Sequence, residues 1–286
     1  MANTVVYEEA WVTKLQERLK LPTNWKEVCN VEYTNNRVLN NPYMSTTPSV
    51  QDGTRGTAYT YQDFALTNES ITINTYKNLP MFIDRADLAQ SSFANQMELA
   101  TRQAQLINER LETAMLASHA DWTDFDNATI GGAAGNITVS ASNIDDIIRA
   151  VIREIQEGNG WDLAARNGIF IIWRPADFEI LTALMQANGF SMADVALKDG
   201  AIPGVRYMGV EHYISNSHAS GHLFAGVKKL YHLGILKATY GQIVITQDPP
   251  ATGGGAVSGI GIVARVDYAF KKWNTVGGLL FDVLVN

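Results

Sequence analysis

The chain has 286 residues, with 22 basic and 29 acidic side chains and a formal net charge of −7. This charge argues against a globally basic nucleic-acid-binding protein, because neutralising phosphates requires a positive surface. The single cysteine, Cys29, excludes an intrachain disulfide and a cysteine-based zinc or iron–sulfur site. Charged residues make up 18% of the chain, against about 25% in average domains, which fits either extensive intersubunit contacts or a surface of Asn, Thr and Ser.

Residues 1–40 begin with a short amphipathic helix pattern that contains Trp11 and continue into a stretch rich in asparagine. The segment has too few periodic apolar residues to form a core of its own. We therefore expect it either to lie along some other surface or to be mobile.

A threonine-rich segment follows, in which side chains alternate in the manner of β-strands. The pattern predicts strands at 57–62 and 70–75, with a turn at 66–69. Tyr59 and Tyr61 fall on one face of the first predicted strand. A two-stranded ribbon is only marginally stable alone in water, so this hairpin needs a partner surface from the same chain or from another.

Residues 84–119 carry the most regular pattern in the sequence. Apolar side chains recur at helical spacing, at Phe93, Met97, Ala100, Ala104, Ile107, Leu111 and Ala114. The spacing predicts one continuous helix about 50 Å long, which suits an elongated body better than a sphere. The alternative interpretation is a segment of coiled coil.

The remainder of the chain mixes helices and strands, which makes the predicted fold class α+β. We expect helices that begin at Ser142 and Pro175 and a buried strand at Ile169–Trp173. That apolar run is too short to cross a membrane, so no membrane partner is expected. Further strands are predicted at Val205–Ile214, Leu223–Val227, Gln242–Thr246, Gly261–Ala269 and Leu279–Val285.

Three histidines are the strongest candidates for chemistry. His212, His218 and His222 lie close in sequence, with Glu211 beside them, and together they suggest a metal site and a metal-dependent enzyme. The segment around His218 is loop-like, however, and histidines four residues apart share a face only on a helix. Ordinary polar loop residues are therefore the competing interpretation.

The other candidates are weaker still. Asp121, Asp124 and Asp126 offer oxygen ligands, but they lack the glycine and the terminal glutamate of an EF-hand calcium loop. Cys29 has no histidine near it in sequence, so a packed thiol is expected rather than a nucleophile. The sequence contains no phosphate-binding loop and no nucleophile elbow. We therefore predict a protein that is not an enzyme and has no cofactor.

The order of these elements resembles that of a known family. The hairpin segment runs through Met81-Phe82-Ile83-Asp84-Arg85-Ala86-Asp87-Leu88-Ala89-Gln90 into the long helix, and a later strand ends in Ser215-Asn216. Both features are similar to those of the major capsid proteins of tailed bacteriophages, a fold that encapsulin nanocompartments also use. The resemblance covers nearly the whole chain.

The resemblance implies a phage major capsid fold and a division of the chain. The implied fold comprises an N-terminal arm, an extended β-hairpin loop, a long spine helix in a peripheral domain and a mixed α/β axial domain. The implied boundaries are 1–40 for the arm, 41–83 for the hairpin loop, 84–139 for the peripheral domain with its helix, 140–246 for the axial domain, 247–278 for the returning peripheral strands and 279–286 for a C-terminal strand.

The resemblance also implies a function and partners. The chain would self-assemble through pentamers and hexamers into an icosahedral head, built in the host cytoplasm, that encloses non-specifically contacted double-stranded DNA. Expected partners are a separate scaffolding protein, a portal and a decoration protein. The alternative is an encapsulin-type shell around a cargo enzyme. Intersubunit contacts are expected at Trp11, Arg55, Tyr59, Tyr61, Phe64, Lys77 and Arg85.

Overall fold

The computed structural model describes residues 23–45, 48–85, 94–187, 205–250, 258–273 and 277–286. Within these ranges the helices are α1 (Trp25–Val28), α2 (Ala94–Ala117), α3 (Ile144–Glu157), α4 (Trp161–Asn167) and α5 (Pro175–Ala187). The strands are β1 (Asn30–Thr34), β2 (Val38–Met44), β3 (Leu66–Thr72), β4 (Thr75–Asp84), β5 (Thr123–Phe125), β6 (Ile169–Trp173), β7 (Val205–Tyr207), β8 (Val210–Ile214), β9 (His222–Val227), β10 (Tyr231–Leu236), β11 (Ile243–Gln247), β12 (Gly259–Lys272) and β13 (Leu280–Leu284). Short 3₁₀ turns occupy His119–Asp121 and Gly277–Leu279.

Two sheets organise the described chain. In the five-stranded sheet, β12 pairs antiparallel with β4, β10 and β11, and β1 joins parallel to β10. The six-stranded sheet has the order β5-β13-β9-β6-β8-β7. The chain passes from the second sheet to the first between β9 and β10, so residues near 230 connect the two. This mixed architecture is the α+β class that the sequence predicts.

One hydrophobic core extends across both sheets. Leu111 and Met115 on α2 are fully buried in it, together with Phe224 on β9 and Tyr231 on β10. Trp122 stacks on Phe224 with ring centroids 3.6 Å apart. Aromatic stacking and burial of this extent hold the end of α2 against the six-stranded sheet.

The periodic segments of the second half fold as predicted. On α3, five apolar side chains at helical spacing are fully buried, namely Ile144, Ile147, Ile148, Val151 and Ile155. Every residue of β6 is buried, and Pro175 occupies the first position of α5. One detail differs, because α3 begins at Ile144 rather than at Ser142, with Asn143 at the N-cap position but without a capping hydrogen bond from its side chain. The Asn143 side chain is occupied in the loop, where its Oδ1 accepts a hydrogen bond from Ser140 N.

The long helix follows its predicted apolar stripe at Ile107 and Leu111, which are buried, and departs from it at Ala104. Asp84 is the last residue of β4 rather than the first of the helix, and the part of the predicted helix at 86–93 lies outside the described residues. Ala104, predicted in the apolar stripe, is exposed, whereas Gln103 is fully buried. Gln103 Nε2 donates to the carbonyls of Leu79 and Ile262, at 3.2 Å each, which explains a polar residue on the buried face. The side chains of Phe93, Met97 and Ala100 are outside the described set.

The hairpin also has a different pairing from the one predicted. β2 pairs antiparallel with β3 over 38–44 and 66–72, so the predicted turn at 66–69 lies within a strand. The segment 57–62 forms no strand, and β4 pairs with β12 instead. Ile71 and Ile73 are buried, at 3% and 1% exposure, in a small cluster against the five-stranded sheet. The hairpin therefore begins earlier, and its base is anchored in the subunit.

The second half of segment 1–40 lies along the rest of the chain, the first of the two expected arrangements. Trp25, Val28 and Cys29 are fully buried. β1 then pairs in parallel with β10, from Asn30 opposite His232 to Thr34 opposite Leu236. Burial comes from a surface provided by a distant part of the sequence, because the segment has no apolar periodicity of its own.

Candidate assembly surfaces

The hairpin arm, residues 48–65, extends beyond the paired strands β2 and β3. Its base is closed by Ser45 N, which donates to Ala65 O at 2.9 Å. Farther out, Ser49 N donates to Gln62 Oε1 at 2.8 Å, and Gln62 Nε2 donates to Ser49 O at 3.0 Å. These side-chain bonds replace a strand ladder and keep the two halves of the arm together.

The tip of the hairpin arm is a tight turn. Thr57 N donates to Thr54 O at 3.0 Å, and Gly56 has a φ of +87°. Glycine favours that backbone conformation at the third position of a type II turn, where a Cβ would be strained. Arg55 therefore lies at the outermost point of the arm, in the position that the sequence proposed for an intersubunit contact.

The hairpin arm exposes large apolar side chains that nothing in the described subunit covers. Val50 is 100% exposed, Tyr59 74%, Tyr61 85% and Phe64 61%. An exposed aromatic group of this size is typical of a surface that another molecule covers.

The aromatic content of the hairpin arm supports the same interpretation. Its three charged side chains, Asp52, Arg55 and Asp63, are about the same share of residues as in the whole chain. Tyrosine and phenylalanine, in contrast, are enriched in the arm, and these residue types are enriched in interface cores. Tyr59 and Tyr61 also contact each other, with ring centroids 5.4 Å apart in an edge-to-face arrangement. The pair thus forms one aromatic protrusion.

A second exposed apolar surface lies on β11. Every residue of this strand is exposed, and Ile243, Val244 and Ile245 reach 37%, 58% and 65%. Among the described strands, β11 pairs with β12 alone. An edge strand with exposed apolar side chains on both faces readily pairs with or packs against another chain.

Two further residues predicted to contact other subunits, Arg85 and Lys77, lie outside the hairpin arm. Arg85 forms an ion pair with Asp248 at 3.4 Å and is 66% exposed at its side chain. Lys77 is exposed on β4, opposite Val266, rather than in the hairpin. Trp11 lies outside the described residues.

The three histidines predicted as a metal site do not form one. Among the described residues, His212, His218 and His222 do not belong to one metal-capable group. His212 is fully buried, accepts from Trp173 Nε1 at 2.9 Å through Nδ1, and lies with Nε2 3.3 Å from Tyr207 O. Both ring nitrogens are engaged, so His212 is a core residue. Burial lowers its pKa to about 4, despite the bond to the Tyr207 carbonyl.

Glu211 is also part of an internal network. Its carboxylate accepts hydrogen bonds from Lys228, from Arg206 at 2.9 Å and from the Tyr213 hydroxyl at 2.9 Å. Burial alone would raise its pKa, but these donors outweigh burial and lower the pKa to about 2. The carboxylate is therefore held as an anion beside a cation, which is a structural arrangement.

The aspartates considered for calcium shape the chain locally. Asp126 Oδ1 accepts from Ala128 N at 2.9 Å, which closes a turn. Asp121 accepts from the Tyr231 hydroxyl at 3.1 Å. Among the described residues, Asp121, Asp124 and Asp126 form no group close enough to share a metal ion.

Cys29 is packed rather than reactive, as the sequence predicts. It is fully buried, with its thiol 3.4 Å from Met115 Sδ. Burial, supported by the nearby Glu112 carboxylate, raises the pKa of the thiol well above its usual value, so the thiolate is disfavoured.

Sequence reasoning missed Glu112. This carboxylate is fully buried on α2, where it accepts from Trp25 N at 2.9 Å and from Asn24 Nδ2 at 3.0 Å. Burial raises its pKa to about 7, although these bonds favour the anion. Glu112 ties the start of α1 to the long helix. A charged residue inside a helical pattern gives no sequence signal of this role.

Replacing His212 with glutamine is expected to reduce the acid sensitivity of the fold. The unfolded chain binds a proton at this histidine near pH 6.5, whereas the native chain does so only near pH 4. Stability from neutral His212 is therefore present above pH 6.5 and is lost as the pH falls towards 4. The loss amounts to about 2 kcal/mol at pH 5.

Urea unfolding of unassembled subunits at pH 7.5 and pH 5 measures this effect. Glutamine keeps an acceptor for Trp173 and a donor for Tyr207 but does not titrate. Protonation of Glu112, whose pKa is raised, stabilises the fold as the pH falls from 7 to 4.5 and so opposes the effect of His212. Because Glu112 is present in both proteins, the difference between the variant and the unmodified chain reports on His212 alone. Equal losses in His212→Gln and the unmodified chain would contradict the prediction.

Comparison with known proteins identifies the fold. No family model matches the sequence, and no curated protein sequence matches it. The chain is similar to the capsid of Ralstonia phage GP4, with a TM-score of 0.64, 8% identity and coverage of 100% of this chain and 99% of that one. The capsid of an empty GTA particle has a TM-score of 0.69 and 13% identity, and the match covers 98% of this chain and 95% of that one. The mature capsid of bacteriophage PhiM1 has a TM-score of 0.64 and 12% identity, with coverage of 98% of this chain and 92% of that one.

These similarities span both sheets, the long helix and the hairpin. The chain has the major capsid fold of tailed bacteriophages. The fold expected from the sequence is thereby confirmed. Within the described residues, no helix combines the length and apolarity needed to cross a lipid bilayer.

Proposed function

We propose that this chain is a major capsid protein that assembles through pentamers and hexamers into the icosahedral head of a phage. The observation that carries this proposal is the hairpin arm, residues 48–65, in which every residue is exposed and the aromatic side chains have no cover within the described subunit. The fold shared with phage capsids over nearly the whole chain supports it. The role is structural rather than enzymatic.

The geometry of the hairpin arm suits head-to-tail assembly. Its base is anchored through Ile71 and Ile73, while its tip at Arg55 projects beyond the paired strands. A contact between such an arm and a different surface of the next subunit is heterologous, and repetition of it around an axis closes a ring. Tyr59, Tyr61 and Phe64 would supply the buried aromatic anchors of that contact.

The domain roles follow from the same proposal. The six-stranded sheet with α3, α4 and α5 would form the axial domain, within 140–246 and the C-terminal strand at 279–286, with β5 added from 123–125. The five-stranded sheet and α2 would form the peripheral domain. In it, α2 and β12 lie within 84–139 and 247–278, and β1, β4, β10 and β11 come largely from outside those ranges. The chain passes from the six-stranded sheet to the five-stranded sheet near residue 230, because β10 and β11 pair with β12.

Further contacts and partners complete the proposal. Trp11, Lys77 and Arg85 would add intersubunit contacts outside the hairpin arm. A scaffolding protein, a portal and a decoration protein would act with the shell in the virion, after assembly in the host cytoplasm. Packaged double-stranded DNA would meet a chain of net charge −7 in weak, non-specific contacts, because tight binding would need many basic side chains.

Electron microscopy after size-exclusion chromatography tests the proposal. The purified chain, alone and with the scaffolding protein of the same phage, is expected to yield pentamers, hexamers or hollow polyhedra. A chain that stays monomeric under both conditions would contradict the assembly role. Nuclease-protected DNA in particles from infected cells supports a phage head, whereas an enclosed enzyme would identify an encapsulin-type shell.

A further inference from the structure

A cluster of two histidines and one aspartate lies where the long helix meets the six-stranded sheet. His119 follows α2 in the 3₁₀ turn, His222 is the first residue of β9, and Asp282 lies on β13. His222 pairs with Leu284 across the two strands, which places it diagonally from Asp282. Three segments far apart in sequence therefore bring these side chains together.

The ligand atoms of the cluster converge. His222 Nδ1 lies 2.8 Å from Asp282 Oδ2, and His119 Nδ1 lies 3.6 Å from the same oxygen. The two imidazole rings stack with centroids 3.6 Å apart and an interplanar angle of 18°. Because each nitrogen lone pair lies in the plane of its ring, one ring must rotate for both nitrogens to face a single ion. One nitrogen from each histidine and one carboxylate oxygen all lie within 4.8 Å of one another.

Hydrogen bonding within the cluster leaves Asp282 incompletely satisfied. The residue is 2% exposed, and its Oδ1 is buried without a hydrogen-bond partner among the described residues. The His119 nitrogen, at 3.6 Å, is too distant for a good hydrogen bond to Oδ2. A buried carboxylate oxygen without a partner is costly, and a cation that contacted both oxygens of Asp282 would remove that cost.

We propose that His119, His222 and Asp282 bind a zinc-class divalent transition-metal ion. Two imidazoles and one carboxylate are ligands that Zn²⁺ accepts, at about 2.0–2.2 Å. Two such ligands around a tetrahedral ion lie roughly 3.3 Å apart, and the observed separations of 2.8 and 3.6 Å bracket that value. Nitrogen ligands disfavour Ca²⁺ and Mg²⁺, which prefer oxygen.

The surroundings of the cluster fit a three-ligand site with one open position. The side chains of His119 and His222 are 30% and 25% exposed, so water can complete the coordination. Asp124 on β5 lies opposite Asp282 in the strand register and adds negative charge. The ion would join the end of α2 to β9 and β13, and would stabilise the subunit in proportion to its occupancy.

Zinc titration of the full chain, stripped with a chelator and kept as unassembled subunits, tests the proposal. We expect about one Zn²⁺ per chain by elemental analysis after dialysis. His119→Gln, His222→Gln and Asp282→Asn are each expected to weaken binding at least tenfold, since even partners of metal ligands contribute about that factor. His232→Gln is the matched control, because His232 lies on β10 beside Asn30 and outside the cluster.

Two further measurements keep the test decisive. Cobalt(II) added to the unmodified chain is expected to show the visible absorption of a four-coordinate nitrogen–oxygen site, and zinc to raise the melting temperature. If Asp282→Asn does not fold, His119→Gln carries the comparison, because its side chain is partly exposed. Substoichiometric zinc in the unmodified chain, or equal retention by the His119→Gln variant, would overturn the proposal.

Discussion

Replacing residues 50–61 with Asn-Gly is expected to leave a folded subunit that no longer forms closed shells. The deleted segment contains no buried residue, and the bonds between Ser49 and Gln62 remain to close the shortened hairpin. Asn-Gly supports a two-residue hairpin turn. The thermal melting temperature of the unassembled subunit should therefore change little, while particles disappear from micrographs.

A pair of milder variants isolates the aromatic side chains. Tyr59→Ala with Tyr61→Ala is expected to lower the yield of shells at least about tenfold, because truncating a buried aromatic anchor commonly costs 2 kcal/mol or more. Tyr59→Phe with Tyr61→Phe keeps both rings and serves as the matched control. Shells of normal yield and size from the shortened chain would show that the hairpin arm is not an assembly contact.

Replacing Leu111 with aspartate is expected to prevent folding altogether. Leu111 is fully buried on α2, in the core shared by both sheets. The substitution removes a large apolar side chain and buries a carboxylate that has no partner designed for it. The expected loss exceeds about 4 kcal/mol, a large part of a total stability of about 5–15 kcal/mol.

Ala104→Asp on the same helix is the control for Leu111→Asp. Ala104 is exposed, so its substitution should leave soluble yield, circular dichroism and the urea midpoint close to those of the unmodified chain. Soluble, cooperatively unfolding Leu111→Asp would contradict the assignment of this face to the core. Failure of both variants would instead indicate a general intolerance of the helix to acidic side chains.

Segments in which apolar side chains recur in a helical pattern or form a continuous run were predictable from the sequence. The isoleucines of α3 and the apolar run of β6 lie where their spacing places them, because each element buries one face or both faces against the same core. The stripe of α2 was predicted one position off at Ala104. Its neighbour Gln103 is buried because it bonds to sheet carbonyls, and no spacing rule reveals such a bond.

Strand pairing was much harder to predict. The alternation at 57–62 is that of a strand, but no strand lies beside it in the described subunit. β4 pairs with β12, from Thr75 opposite Tyr268 to Asp84 opposite Gly259. Pairing partners so distant in sequence leave no local signal, and β10 was missed altogether.

The candidate sites also differ in whether local sequence could predict them. Exposed aromatic residues of the hairpin arm could be proposed from composition and alternation. Its turn could not, because the sequence pattern predicted a turn at 66–69, whereas the turn lies at Thr54–Thr57. The histidine cluster could not, because His119 and Asp282 come together only through the order of β5, β13 and β9. Proximity in sequence grouped His222 with the wrong histidines.

The interleaving of the two sheets has a consequence for synthesis on the ribosome. β13 lies between β5 and β9, and β4 needs β12, so neither sheet can be completed until the last strands have emerged. Contacts this distant in sequence make folding slow and expose apolar strands meanwhile. A nascent chain can therefore form its local hairpin, but it offers no finished sheet against which the hairpin arm of a neighbour could pack. Assembly on the polysome is disfavoured, and demand for chaperones rises with the rate of synthesis.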